Sequence, residues 1–96
     1  MTIEEAILDV GKRVAARADD EGLGEVVQDD DGHILILNFS HVVARLGKFG
    51  EQMVVSVGNS GMSFSLPINP GSLIAESDLR QAVDFIMNCA KTTPRI

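Results

Sequence analysis

Few residues in this chain have types that could do chemistry, and their spacing speaks against most of it. His33, His41 and Cys89 are the soft metal ligands, with the histidines eight positions apart and the cysteine remote from both. Zinc sites draw their ligands from short, paired spacings, and none occurs here. Gly58-Asn59-Ser60-Gly61 approaches a nucleophile elbow, but the pattern Gly-x-Ser-x-Gly requires glycine at 62, where Met62 stands. Asp29-Asp30-Asp31-Gly32 approaches a calcium loop. With Gly32 as the loop glycine, the ligand positions fall on Val27, Asp29 and Asp31, and the closing position on Asn38. Valine has no ligating atom and the closing glutamate is missing. Gly22-Leu23-Gly24 is half a phosphate motif that follows a helix pattern instead of opening one. The sequence therefore assigns no catalytic, cofactor-binding or metal-binding residue.

Those residues must be positioned by a short chain. At 96 residues there is room for one domain, read here as 1–91 with a tail over 92–96. The chain is 45% hydrophobic, with four Phe and neither Trp nor Tyr, so its core has to come from Ile, Leu, Val, Met and Ala. A single cysteine excludes an intrachain disulfide and suits a reducing compartment. No run reaches the roughly 18 to 20 apolar residues of a membrane span, and the first residues, MTIEEAIL, are acidic where a signal peptide is basic. These points give the expectation of a cytoplasmic protein with no membrane partner.

The net charge of −6 is uneven. Residues 1–31 carry ten acids against Lys12, Arg13 and Arg17, or −7; the rest of the chain sums to +1. Nucleic-acid binding calls for clustered Lys and Arg and for aromatic stacking platforms, and both are missing. The acidic third instead suits a solvated face or a basic partner.

The fold class expected is α+β: an N-terminal helix, an antiparallel sheet of about four strands and a C-terminal helix. Thr2-Ile3-Glu4-Glu5 is a capping box, followed by Ile3, Ile7, Val10 and Val14 at helical spacing, with Gly22 placed to end the helix. Gly11 in mid-helix implies a close approach by another element. Residues 25–28 and 32–39 read as a hairpin through Asp-Gly, and 34–37 as a strand buried on both faces. Residues 40–50 read either as a strand, which Val42-Val43 favours, or as a short helix over 40–47 capped by Ser40. Residues 53–57 form another strand. Met62, Phe64, Leu66 and Ile68 alternate with smaller or polar residues in the clearest period of two in the chain, and Pro67 puts that strand at an edge. Ser77 is placed to cap a last helix over 78–91, whose apolar stripe is wide for a helix with one buried side.

Met62-Ser63-Phe64-Ser65-Leu66-Pro67-Ile68, followed by a helix bearing Leu79, Val83, Ile86 and Ala90, resembles the last third of small acidic type III secretion chaperones. The resemblance implies a dimer that holds an extended protein segment along apolar grooves. It also implies a middle helix, for which 40–47 is the candidate. No binding residue carries over from it.

The apolar excess on the sheet and the last helix exceeds what two helices and one sheet can hide, and soluble monomers seldom leave such a patch open. The expectation is a non-enzymatic protein-interaction domain acting as a homodimer: a small acidic adaptor, chaperone or inhibitor. Its partner surface would draw on Asp29, Asp30, Asp31, Met62, Phe64, Phe85 and Met87. Alternatives are a small-ligand-binding domain or an enzyme with its site at a dimer interface, and a phage-type inhibitor that mimics nucleic acid through its acids.

Overall fold

The computed structural model describes residues 2–30, 34–59, 62–69 and 74–92. Helix α1 spans Ile3–Asp20. Its start is the expected capping box: the Thr2 hydroxyl accepts from the Glu5 amide at 3.1 Å, and the Thr2 amide donates back to the Glu5 carboxylate at 3.3 Å. Beyond its end Gly22 takes φ +75°, a conformation open to glycine, and the Leu23 amide reaches back to the Ala18 carbonyl at 2.9 Å.

Five antiparallel strands follow as a meander, each paired with its sequence neighbours: β1 (Val27–Asp30), β2 (Ile34–Asn38), β3 (Val43–Phe49), β4 (Gln52–Asn59) and β5 (Met62–Ile68). The sheet thus has five strands, not four. The ambiguous segment is β3, its central strand, and there is no short helix over 40–47. Phe39 and Val42 turn the chain through a 3.0 Å hydrogen bond from the Phe39 amide to the Val42 carbonyl. Both side chains are buried at that corner, so Ser40 lies within a tight turn and caps no helix. β4 runs past Val57 because Gly58 and Asn59 continue the ladder opposite Ser63 and Met62. Ser60 and Gly61, where the notional elbow falls, lie outside the described residues, as do Gly32 and His33 of the first hairpin.

Helix α2 spans Glu76–Thr92, two residues earlier than Ser77 suggests. The Asp78 carboxylate accepts from the Ala75 amide at 3.0 Å, and the Ala75 carbonyl accepts from the Asp78 amide at 3.0 Å. These bonds put the cap at Ala75 and leave Ser77 inside the helix. Thr92 closes the helix, its hydroxyl donating to the Asn88 carbonyl at 2.8 Å, so it belongs to α2 and not to the tail; residues 93–96 are outside the description.

Both helices lie on one face of the sheet and against each other. Beneath them Leu35, Leu37, Ala44, Leu46, Met53, Val55 and Val57 are each no more than 3% exposed. Gly11 is the point of closest approach: a Cβ there would stand 2.7 Å from Leu35 Cδ2. That contact gives the physical reason for a residue that costs about 1 kcal/mol against alanine in a helix. The wide stripe on α2 has a matching account. It is buried on two sides, by the sheet and by α1, so Leu79, Ala82, Val83, Ile86, Met87 and Ala90 are all core. No helix among the described residues is long and apolar enough to cross a membrane.

Candidate functional site

The other face of the sheet is covered by none of the described residues. Register assigns its residues in transverse rows, because directly opposed residues of an antiparallel pair share a face. One row runs Val27, Asn38, Val43, Gly58, Ser63 from β1 to β5. The next runs Asp29, Ile36, Arg45, Ser56, Ser65, and a third runs Ile34, Gly47, Val54, Pro67 across β2 to β5. Phe49 stands beyond, opposite Gln52.

Four aliphatic side chains of this face, Ile34, Ile36, Val43 and Val54, are only half-buried, so residues 34–37 are fully buried on the helix side alone. Val27 is 56% and Phe49 57% exposed. The Phe49 ring lies back along the strand towards Gly47, where an added Cβ would stand 3.0 Å from it. Ile34, Phe49 and Val54 wall a shallow depression of about 160 Å³ with Arg45, Ser56 and Ser65 at its polar end. Ligand pockets run to about 300–1,000 Å³, so this depression suits a single inserted side chain.

A second surface lies between α2 and the edge strand β5. It is a wide open groove of about 830 Å³ with Leu66 and Phe85 as its apolar part and Glu76, Arg80, Gln81 and Asp84 along its rim. Phe64 shares the face of Leu66, one pleat away, and is 52% exposed.

The residues singled out from the sequence do not form one surface. Phe64 and Phe85 fall near the α2–β5 groove. Asp29 and Asp30 lie on β1, the opposite edge of the sheet, with Asp29 on the uncovered face and Asp30 on the helix side. Four strand spacings of about 4.8 Å separate the two edges. Asp31 is outside the described residues, and of Met62 only the backbone, opposite Asn59, is described. Met87 is a correction. It is wholly buried, because the side of α2 that it occupies is packed into the core, and it offers nothing to a partner. Arg45, Ser56 and Ser65 were missed. The signal was the alternate parity of the third strand, Val43, Arg45, Gly47, Phe49, which appears once residues 40–50 are read as strand.

The acids of the first third are partly spent within the fold. Arg13 spans the helices with two hydrogen bonds to Glu76, at 2.6 and 3.0 Å, and also holds Asp9 at 3.2 Å. Arg17 reaches Asp84 at 2.7 Å and Glu21 at 3.2 Å, Lys91 pairs with Glu21, and Lys48 meets Glu4 at 3.1 Å. The hydrogen bond from Arg13 holds the Glu76 carboxyl below its ordinary range, and that from Lys91 does the same for Glu21.

His41 Nε2 stands 2.6 Å from the Ala90 carbonyl. A carbonyl can only accept, so Nε2 carries the proton and ties the β2–β3 corner to the end of α2. Burial raises the Cys89 thiol above its ordinary range, which disfavours the reactive thiolate. No group of three or more His, Cys, Asp or Glu side chains is placed to hold a metal among the described residues.

Comparison of the chain with protein-family models, with curated proteins and with solved structures finds no match. The region that would supply the middle helix of a type III secretion chaperone is strand β3.

Proposed function

We propose that this chain is a non-enzymatic protein-interaction domain, a small acidic adaptor, chaperone or inhibitor that acts as a homodimer. One observation carries the reading: the helices cover one face of the sheet, while the other face leaves Ile34, Ile36, Val43, Val54 and the more exposed Phe49 in contact with water. Apolar rows of this kind on a central sheet mark interaction surfaces. Both edge strands carry residues that discourage strand addition, Asp29 and Asp30 on β1 and Pro67 on β5. Those residues favour docking on the face over extension of the edge. The cytoplasm is the proposed compartment, on the lone thiol.

Light scattering coupled to size exclusion tests the reading. The expected result is a mass of two chains, reduced to one by Ile36→Ser or Val43→Ser with little loss of thermal stability. A monomeric wild type across the accessible concentration range overturns it.

A second reading, a small-ligand-binding domain, draws on the α2–β5 groove, whose volume of about 830 Å³ lies within the range of ligand pockets. Its open, charged rim weighs against it. A large, saturable thermal shift with a metabolite would favour it over the first. Mimicry of nucleic acid has less support, because Glu4, Asp9 and Glu21 are engaged in ion pairs within the fold.

A further inference from the structure

The two charged residues that the register places on the uncovered face among the described residues stand in one row. Asp29 on β1 and Arg45 on β3 flank Ile36 on β2. Both charged residues are exposed, and neither enters an ion pair among the described residues. Resting on the homodimer reading above, we infer that the occupant of this face is a second copy of the chain, stacked face to face about a two-fold axis that runs along β2. Arg45 of each protomer then meets Asp29 of the other, and the two Ile36 side chains meet on the axis.

Among axes that run along a strand, symmetry and charge together favour this register. An isologous interface must be complementary to itself. Arg45 occupies the central strand, so an axis along β3 would bring two arginines together inside a desolvated contact, where like charges oppose association. A shift of one strand replaces that repulsion with two ion pairs. The reach is sufficient: stacked sheets stand about 10 Å apart, and an arginine and an aspartate extended from facing strands span that gap. The same shift sets Val27 of each copy against Val43 of the other, and Ile34 against its own counterpart. With one cation and one anion among its described residues, the face is balanced on a chain of net charge −6, which suits a copy of itself better than a strongly charged partner.

Sedimentation equilibrium of the full chain tests the register with Arg45→Asp, Asp29→Arg and the double variant carrying both. Each single variant opposes like charges and is expected to weaken the dimer by more than about tenfold. The double variant re-forms both pairs in reversed sense and is expected to recover most of the loss. Circular dichroism establishes that each variant is folded.

A second measurement is independent of these charges. In a Cys89→Ser background, a short bismaleimide is expected to join protomers carrying Ile36→Cys and not those carrying Ser63→Cys, since Ser63 lies on the far edge strand. A dimer indifferent to both single charge reversals, or joined as readily through position 63 as through 36, overturns the register and leaves the homodimer reading standing. A wild type that stays monomeric overturns both.

Discussion

The two faces of the sheet are made by the same strands and differ only in the parity of their residues. On one, Leu37, Leu46, Met53 and Val55 are fully buried beneath two helices. On the other, Ile36, Arg45, Ser56 and Ser65 lie side by side with none of the described residues over them. The packed centre of the covered face holds no polar side chain, since the described residues include no buried polar or charged one; Gln28, Asp30 and Lys48 share that side but lie exposed at its margin. Burying a large aliphatic side chain stabilises by about 1.5–3 kcal/mol, and a buried group without a hydrogen-bond partner removes as much. The uncovered face mixes aliphatic side chains with an arginine and serines because water still reaches it. Folding stability and association are thereby assigned to opposite sides of one sheet, so they should respond to different substitutions.

The largest effect expected is at the covered face. Leu37→Ala leaves a cavity under α1 and should lower unfolding free energy by about 2–5 kcal/mol in a denaturant titration. Ile36→Ala, its neighbour in the chain, should cost the isolated monomer less than about 1.5 kcal/mol, since little buried volume is lost. Equal losses at 36 and 37 would break the distinction between the faces.

Gly11→Val comes next. Its side chain would press on Leu35 where even a Cβ stands at 2.7 Å, and overpacking of this kind costs about 1–3 kcal/mol. The loss should appear in thermal unfolding while the oligomeric mass stays unchanged, because the strain lies on the helix side.

The smallest effect concerns the ion pairs joining the helices. Glu76 and Glu21 are held below the ordinary carboxylate range by hydrogen bonds from Arg13 and Lys91, and Glu4 by a backbone hydrogen bond and Lys48. A carboxyl whose folded pKa is depressed contributes stability that is fully present above its unfolded value, about 4.3 for glutamate. That contribution is lost as pH falls through the folded pKa. The melting temperature should therefore hold between neutrality and about pH 5 and decline below about pH 4.3. Glu76→Gln should shallow the decline, and salt should do the same for these exposed pairs. A decline unaffected by either would place the acid sensitivity elsewhere.

Much of the architecture was legible because the signals were local. The capping box at Thr2, the left-handed turn at Gly22 and the alternation through β5 each depend on residues within a few positions of one another. Residues 40–50 were harder, since Val42, Ala44 and Leu46 satisfy a strand while Val43 and Leu46 satisfy a short helix. Pairing with Leu37 and Val57, remote in sequence, decides for the strand. The start of α2 misled because serine is the stronger capping type, yet the Asp78 side chain serves the Ala75 amide. Met87 misled for a related reason. Its exposure depends on α2 being covered from two sides, and a periodicity plot registers only one.

The sequence by itself determined the α+β class, the two helices, the uneven charge and an apolar content too large for one covered face, because composition and short-range periodicity carry all four. Tertiary structure alone decided which apolar residues stay uncovered. It set the strand register that lines up Asp29, Ile36 and Arg45, and it brought α1 and α2 together over the same face. Register and layer order are settled by contacts between segments far apart in the chain, where burial and pairing outweigh local preference.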